Sequence, residues 1–175
     1  MMGMKGKILN AAAVLAAAIL IVSTGHAFSD GVVASLDGEK ITVATLSDYV
    51  SEVAGDKYAP LLNDGEGLRT LADFYINRAL LLDYARQTVD REDVMVRNHN
   101  ARSVDESAMV LTALLKSEVQ GRVRVSAEEV EGYMKTKRVA SEKVAERELA
   151  SLRKAELMTA LIAKVRMGHD IRSFD

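Results

Sequence analysis

The chain has 175 residues, three His, one Pro, no Cys, and 23 basic against 25 acidic side chains. Absence of Cys excludes a disulfide framework, a thiol nucleophile and a thiolate metal site. The slightly acidic balance gives no support to a nucleic-acid partner, and the length suits one domain with a core of its own.

Residues 1–27 read as a secretory signal. Lys5 and Lys7 precede an apolar run from Ile8 to Val22, and Gly25 and Ala27 supply the small residues a signal peptidase reads, so cleavage is expected before Phe28. The run falls just short of the ~18 apolar residues that argue for a spanning helix. A membrane contact is therefore expected only if the segment stays uncleaved, and the expected address is periplasmic or otherwise extracytoplasmic. No Cys follows the run, so a lipoprotein anchor is not expected. Cleavage removes Lys5 and Lys7 from the 23 basic residues, leaving 21 against 25 acidic, a net charge of −4 over residues 28–175.

Val32 to Leu36 and Glu39 to Thr42 flank Asp37-Gly38, a dipeptide suited to a tight turn, and read as a short hairpin. Thr42 can cap a first helix, Val43 to Val53, which ends near Gly55. Asp56 to Gly67 holds Pro60, Asn63-Asp64-Gly65 and Gly67, and reads as a loop. From Leu68 to Val89, Leu68, Leu71, Ala72, Tyr75, Ala79 and Leu82 recur at helical spacing, with Phe74, Ile76, Leu80 and Leu81 widening the stripe. A helix apolar on most sides is expected at the centre of the fold.

Asp90 starts a further expected helix, with Glu92 and Asp93 in its first turn. Its front half, Arg97 to Ser103, is polar; Val104, Ala108, Leu111, Leu115 and Val119 form the apolar stripe of its back half. Ser126 and Glu129 match the S-x-x-E capping box. Leu157, Leu161 and Val165, flanked by Met158 and Ile162, give the closing helix, residues 143–167, its core face. Gly168 can end it and free Asp170 to Asp175 to pair as a strand. The fold class is therefore mainly α, with an N-terminal β-hairpin and a C-terminal strand.

Chemistry is sparse. His26, His99 and His169 have no ligand spacing between them, and each reads as a solvated side chain. The acidic clusters Asp90/Glu92/Asp93 and Glu128/Glu129/Glu131 sit in expected first helical turns, where capping accounts for them. Neither a Gly-rich phosphate loop nor a nucleophile elbow is present. No catalytic, cofactor-binding or metal-ligating residue is assigned, and no cofactor and no enzymatic activity are expected. Met109 and Met158 border apolar stripes and suit gap filling, whereas Met95, Met134 and Met167 remain open to a role in an apolar groove. The Tyr residues at 49, 58, 75, 84 and 133 suit either client contacts or a core edge.

Three stretches together, VVASLDGEKIT at Val32 to Thr42, LADFYINRALLLDYA at Leu71 to Ala85 and VSAEEVEGYM at Val125 to Met134, resemble the N-terminal region of the SurA/PrsA-type extracytoplasmic foldases. In that family a parvulin prolyl isomerase domain follows the third stretch, and the chain then returns as a long helix and short strand. Here the sequence passes from Met134 almost directly into a segment resembling that return, Lys143 to Phe174. No counterpart of the isomerase motifs is present. The resemblance implies a chaperone domain over residues 28–175 that binds unfolded or partly folded exported proteins through apolar surface, without ATP and without isomerase activity. The alternative is a dedicated structural or adaptor subunit of an envelope or secretion machine.

Nothing between Met134 and Met167 compels a turn, and one unbroken helix there would be roughly 50 Å long. Such a helix could not fold back on its own domain and would complete a second protomer, giving a domain-swapped homodimer. A break at Arg138 to Ser141, with Ser141 as cap, instead gives a compact monomer.

Overall fold

A computed structural model describes residues 31–90 and 105–174. The signal segment, the front half of the helix expected from Asp90, Val104, His26, His99, Met95 and Asp175 lie outside the described residues. Within them the chain is mainly helical, with a small antiparallel sheet that joins the two ends of the domain.

Strands β1 (Val32–Leu36) and β2 (Glu39–Thr42) form the expected hairpin. Leu36 pairs with Glu39, so Asp37 and Gly38 alone make the turn, and both have positive φ, 51° and 86°. That is the geometry Asp-Gly favours in a two-residue hairpin turn. A bulge between Val32 and Ala34 shifts the register, and Val32 to Ser35 are all buried because β1 is the central strand. Its other edge takes β3 (Ile171–Ser173), antiparallel, with Ala34 opposite Ser173 and Leu36 opposite Ile171.

Thr42 caps α1 (Val43–Tyr49): its hydroxyl accepts from the Thr45 amide at 3.2 Å. The expected single helix to Val53 is realised as α1 plus a π-helical turn, Val50–Ala54, closed at Gly55 with φ of 91°. The segment expected as loop is also more ordered. Asp56–Asn63 is a 3-10 helix containing Pro60, and Asp64 then caps α2 (Gly65–Thr88) by accepting from the Gly67 amide at 2.7 Å. Turn-forming residues here supplied a cap and a short helix in place of irregular chain.

Helix α2 is the central element, burying Leu68, Leu71, Ala72, Ile76, Leu80, Leu81, Leu82 and Ala85 against the sheet and the other helices. Its expected stripe is displaced at one edge. Phe74 points outward and is 41% exposed, while Tyr75 and Ala79 are half-buried.

A helix starts afresh at α3 (Glu106–Glu118), capped by Asp105, whose carboxylate accepts from the Ser107 amide at 3.1 Å, so the helix expected from Asp90 does not run unbroken through Asp105. Its buried residues are Val110 and Leu114, followed by Val119; Leu111 and Leu115 are half-buried and Ala108 is exposed. Of the expected stripe Val119 is buried as expected, whereas Ala108, Leu111 and Leu115 lie about one residue off the face that packs on α2. Val110-Leu111 and Leu114-Leu115 are adjacent apolar pairs, so two neighbouring stripes have similar apolar content and tertiary packing selects between them.

The capping box forms as expected at α4 (Ala127–Lys137). Ser126 Oγ accepts from the Glu129 amide at 3.2 Å, and Glu129 Oε2 accepts from the Ser126 amide at 2.8 Å. Arg138 ends α4 in the left-handed region with φ of 56°, and α5 (Glu142–Arg166) starts after Ser141. The helix therefore breaks at the expected place. Ser141 occupies the cap position in extended backbone, but its side chain makes no capping bond.

Helices α4 and α5 form an antiparallel arm, with Val130 and Ala145 buried between them and Arg153 bridging to Glu129 at 2.9 Å. The back half of α5 returns to the body. Leu161 and Val165 are buried in the core, with Leu157, Met158 and Ile162 at its edge. Across this contact, Arg166 reaches Asn77 at 2.7 Å and Asp73 at 3.3 Å, and Lys164 donates to the Tyr84 hydroxyl at 2.7 Å. Gly168, with φ of 88°, turns the chain into β3. No described helix is long and apolar enough to cross a membrane.

Candidate functional site

Among the described residues, a concavity runs between α1 with its π-helical turn and one face of α2. Thr45, Asp48, Tyr49 and Glu52 are spaced three and four residues apart and so present one side. Tyr75, Arg78, Leu82 and Arg86 do the same from α2. Tyr49 and Tyr75 meet edge to face, with ring centroids 5.5 Å apart and planes at 88°, the arrangement aromatic quadrupoles favour. Burial pushes the Tyr49 phenol above its ordinary range, with the nearby Arg78 charge pulling it back.

Two open hollows make up this groove, one of about 420 Å³ and one of about 330 Å³, and they share Tyr49, Val53 and Arg78. The second is walled by the 3-10 helix. Tyr58 packs edge to face on Phe74 at 5.8 Å, and Lys57 Nζ lies 4.9 Å from the Tyr58 ring centre. Phe74 and Val53 are 41% and 47% exposed at the rim. An aromatic floor with exposed apolar residues and a few fixed charges suits recognition of an apolar group beside a polar one.

The residues singled out from sequence distribute unevenly around it. Tyr49, Tyr58 and Tyr75 come together in the groove, whereas Tyr84 lies at the α2–α5 contact and Tyr133 on the arm. Desolvation, followed by a hydrogen bond to Glu148, raises the Tyr133 pKa. Met158 packs against the core as expected, Met134 and Met109 are half-buried, and Met167 is 75% exposed beyond the end of α5. None of these Met residues lines the groove. Among the acidic residues, Glu129 caps α4 and its carboxyl is held below its ordinary range chiefly by the Ser126 amide. Glu131 pairs with Lys135. Among the described residues, no cluster of three or more acidic or His side chains could hold a metal ion.

His169 is exposed, as expected of a solvated side chain, but it also has a partner. Its Nδ1 lies 2.7 Å from Asp37 Oδ2, while Asp37 Oδ1 accepts from the Asp170 amide at 2.9 Å. The pair ties the β1–β2 turn to the connection between α5 and β3. Only the DG turn signalled half of it in the sequence, because its partner lies 132 residues away.

The groove too is not legible in the sequence, because Tyr49 and Tyr75 stand 26 residues apart in the chain. A third, smaller hollow of about 80 Å³ lies on the arm between Val125 and Leu152, which is 53% exposed. No model of a known family matches the chain, and no curated protein matches it.

Proposed function

We propose that the protein is an extracytoplasmic, ATP-independent chaperone or assembly factor that holds unfolded or partly folded exported polypeptides. In this reading it is a SurA/PrsA-type chaperone domain without an isomerase domain and without enzymatic activity. One observation carries the assignment: the α1–α2 groove, where Tyr49, Tyr58, Phe74 and Tyr75 form an aromatic surface with Phe74 and Val53 exposed at its rim. Rings supply large contact area at small entropic cost, and an open groove defined by shape and apolarity suits clients of varied sequence. The signal-like residues 1–27 support the address.

The test is aggregation of a chemically denatured exported protein diluted into buffer with residues 28–175, without nucleotide. Light scattering should fall with added protein, and Phe74→Ala combined with Val53→Ser should restore much of it while leaving the melting temperature nearly unchanged. Undiminished aggregation, together with recovery of one stoichiometric partner from envelope extract, would replace this reading with the dedicated adaptor.

A further inference from the structure

Arg78 occupies an unusual position in the groove. It is half-buried and borders both hollows, yet its guanidinium makes no hydrogen bond or ion pair among the described residues. Five N–H donors in a planar fork are well matched to a carboxylate. The hollow on the Phe74 side reinforces the match. Besides Arg78 its one charged residue is Lys57, and the rest of its wall is Tyr49, Val53, Ala54, Tyr58 and Phe74. Two cations face an aromatic surface there with no carboxylate of the protein among them.

The carboxylates Asp48 and Glu52 instead border the neighbouring hollow, which also holds Arg86. The sign of charge therefore changes along the groove: cationic on the Phe74 side, mixed on the Tyr75 side. Arg78 stands at the junction, where a segment crossing both hollows would pass with its middle, so the anionic group fits an internal side chain better than a chain terminus.

We propose that the groove selects polypeptide segments carrying an acidic side chain flanked by apolar or aromatic residues, with Arg78 as the principal donor to the carboxylate and Lys57 as its electrostatic support. This rests on the client-binding reading above and adds a chemical preference to it. A charge-assisted bidentate contact in a partly desolvated groove is stronger than its neutral counterpart, and uncharged Gln in place of Glu retains shape while removing that contact.

The experiment uses fluorescence anisotropy with residues 28–175 and three short labelled peptides, identical except for a central Glu, Gln or Lys between Phe and Val residues. The Glu peptide should bind about tenfold tighter than the Gln peptide, and the Lys peptide weakest. Added salt should narrow the gap between Glu and Gln. Arg78→Gln should bring the Glu and Gln peptides to equal affinity, abolishing the preference for Glu. Lys57→Gln, at an exposed position, should reduce the preference and keeps the test decisive if Arg78→Gln does not fold.

Equal binding of the Glu and Gln peptides overturns the charge preference and leaves the chaperone reading standing. Retention of the full preference in folded Arg78→Gln overturns the assignment to Arg78. Failure of all three peptides to bind removes the groove as a client site, and this inference with it.

Discussion

Asp37 Oδ2 stands 2.7 Å from Nδ1 of His169, and the backbone of Asp37 also donates to the Asp170 carbonyl at 2.8 Å. One turn residue thus fastens the C-terminal strand at its entry to the sheet. The carboxyl of Asp37 is held below its ordinary 3.8, first by the His169 contact and then by the Asp170 amide. Its folded pKa is depressed, so its contribution to stability is present above the ordinary value and disappears as pH falls through the lowered one. Asp37→Asn keeps a residue suited to the turn and should flatten the acid limb of the stability–pH curve. Urea melts at a series of pH values from neutral to strongly acid would check this. An unchanged acid limb in the variant would assign that dependence to other carboxyls.

The core face of α3 gives a sharper test of packing. Leu114 is 1% exposed, whereas Leu111 is half-buried one face away. Leu114→Ala should cost about 2–5 kcal/mol, and Leu111→Ala well under half of that. Denaturant melts of the two variants would distinguish them. Comparable losses would mean that the helix packs about the stripe through Leu111.

That helix also shows why some of the fold was legible and some was not. Features written within four residues of chain were read directly: the Asp37-Gly38 turn, the Thr42 cap, the Ser126/Glu129 capping box and the stop at Gly168. Each is decided by local backbone chemistry. The rotation of α3 was not legible, because adjacent apolar pairs support two faces and only contact with α2 chooses. Nor was the candidate site, since Tyr49 and Tyr75 become neighbours only after α1 folds back on α2. The Asp37–His169 contact is likewise a product of tertiary closure.

Gly67 fixes the wall of the groove. It lies in the first turn of α2, and a Cβ there would strike the backbone carbonyl of Leu61 in the 3-10 helix. No flexible side chain can give way at that contact. Gly67→Ala should therefore destabilise the protein by about 1–3 kcal/mol and displace the segment carrying Lys57 and Tyr58. A lowered melting temperature, with weakened client binding in the fraction still folded, is the expected pair of results. Full stability in the variant would show that the 3-10 helix is free to move.

The break between α4 and α5 decides whether the domain closes on itself. If Ala127 to Arg166 were continuous, its 40 residues would extend about 60 Å. The short connection Val123 to Ser126 spans at most ~14 Å, so the far end could not reach its own α2. Arg138→Ala, Val139→Ala and Ser141→Ala together improve helix propensity by only about 1 kcal/mol. Buried Val130 and Ala145 oppose that, and burying such side chains stabilises the arm by more. Light scattering should therefore give the mass of one chain for residues 28–175 and for the triple-alanine variant. Adding Ala145→Glu places a carboxylate at a fully buried position and removes the packing that holds the arm closed. In that background the helix should run through, and the mass should double as each closing segment docks on a partner's α2. A monomeric quadruple variant with intact helicity would show that the turn at Arg138 is held by its own local preference.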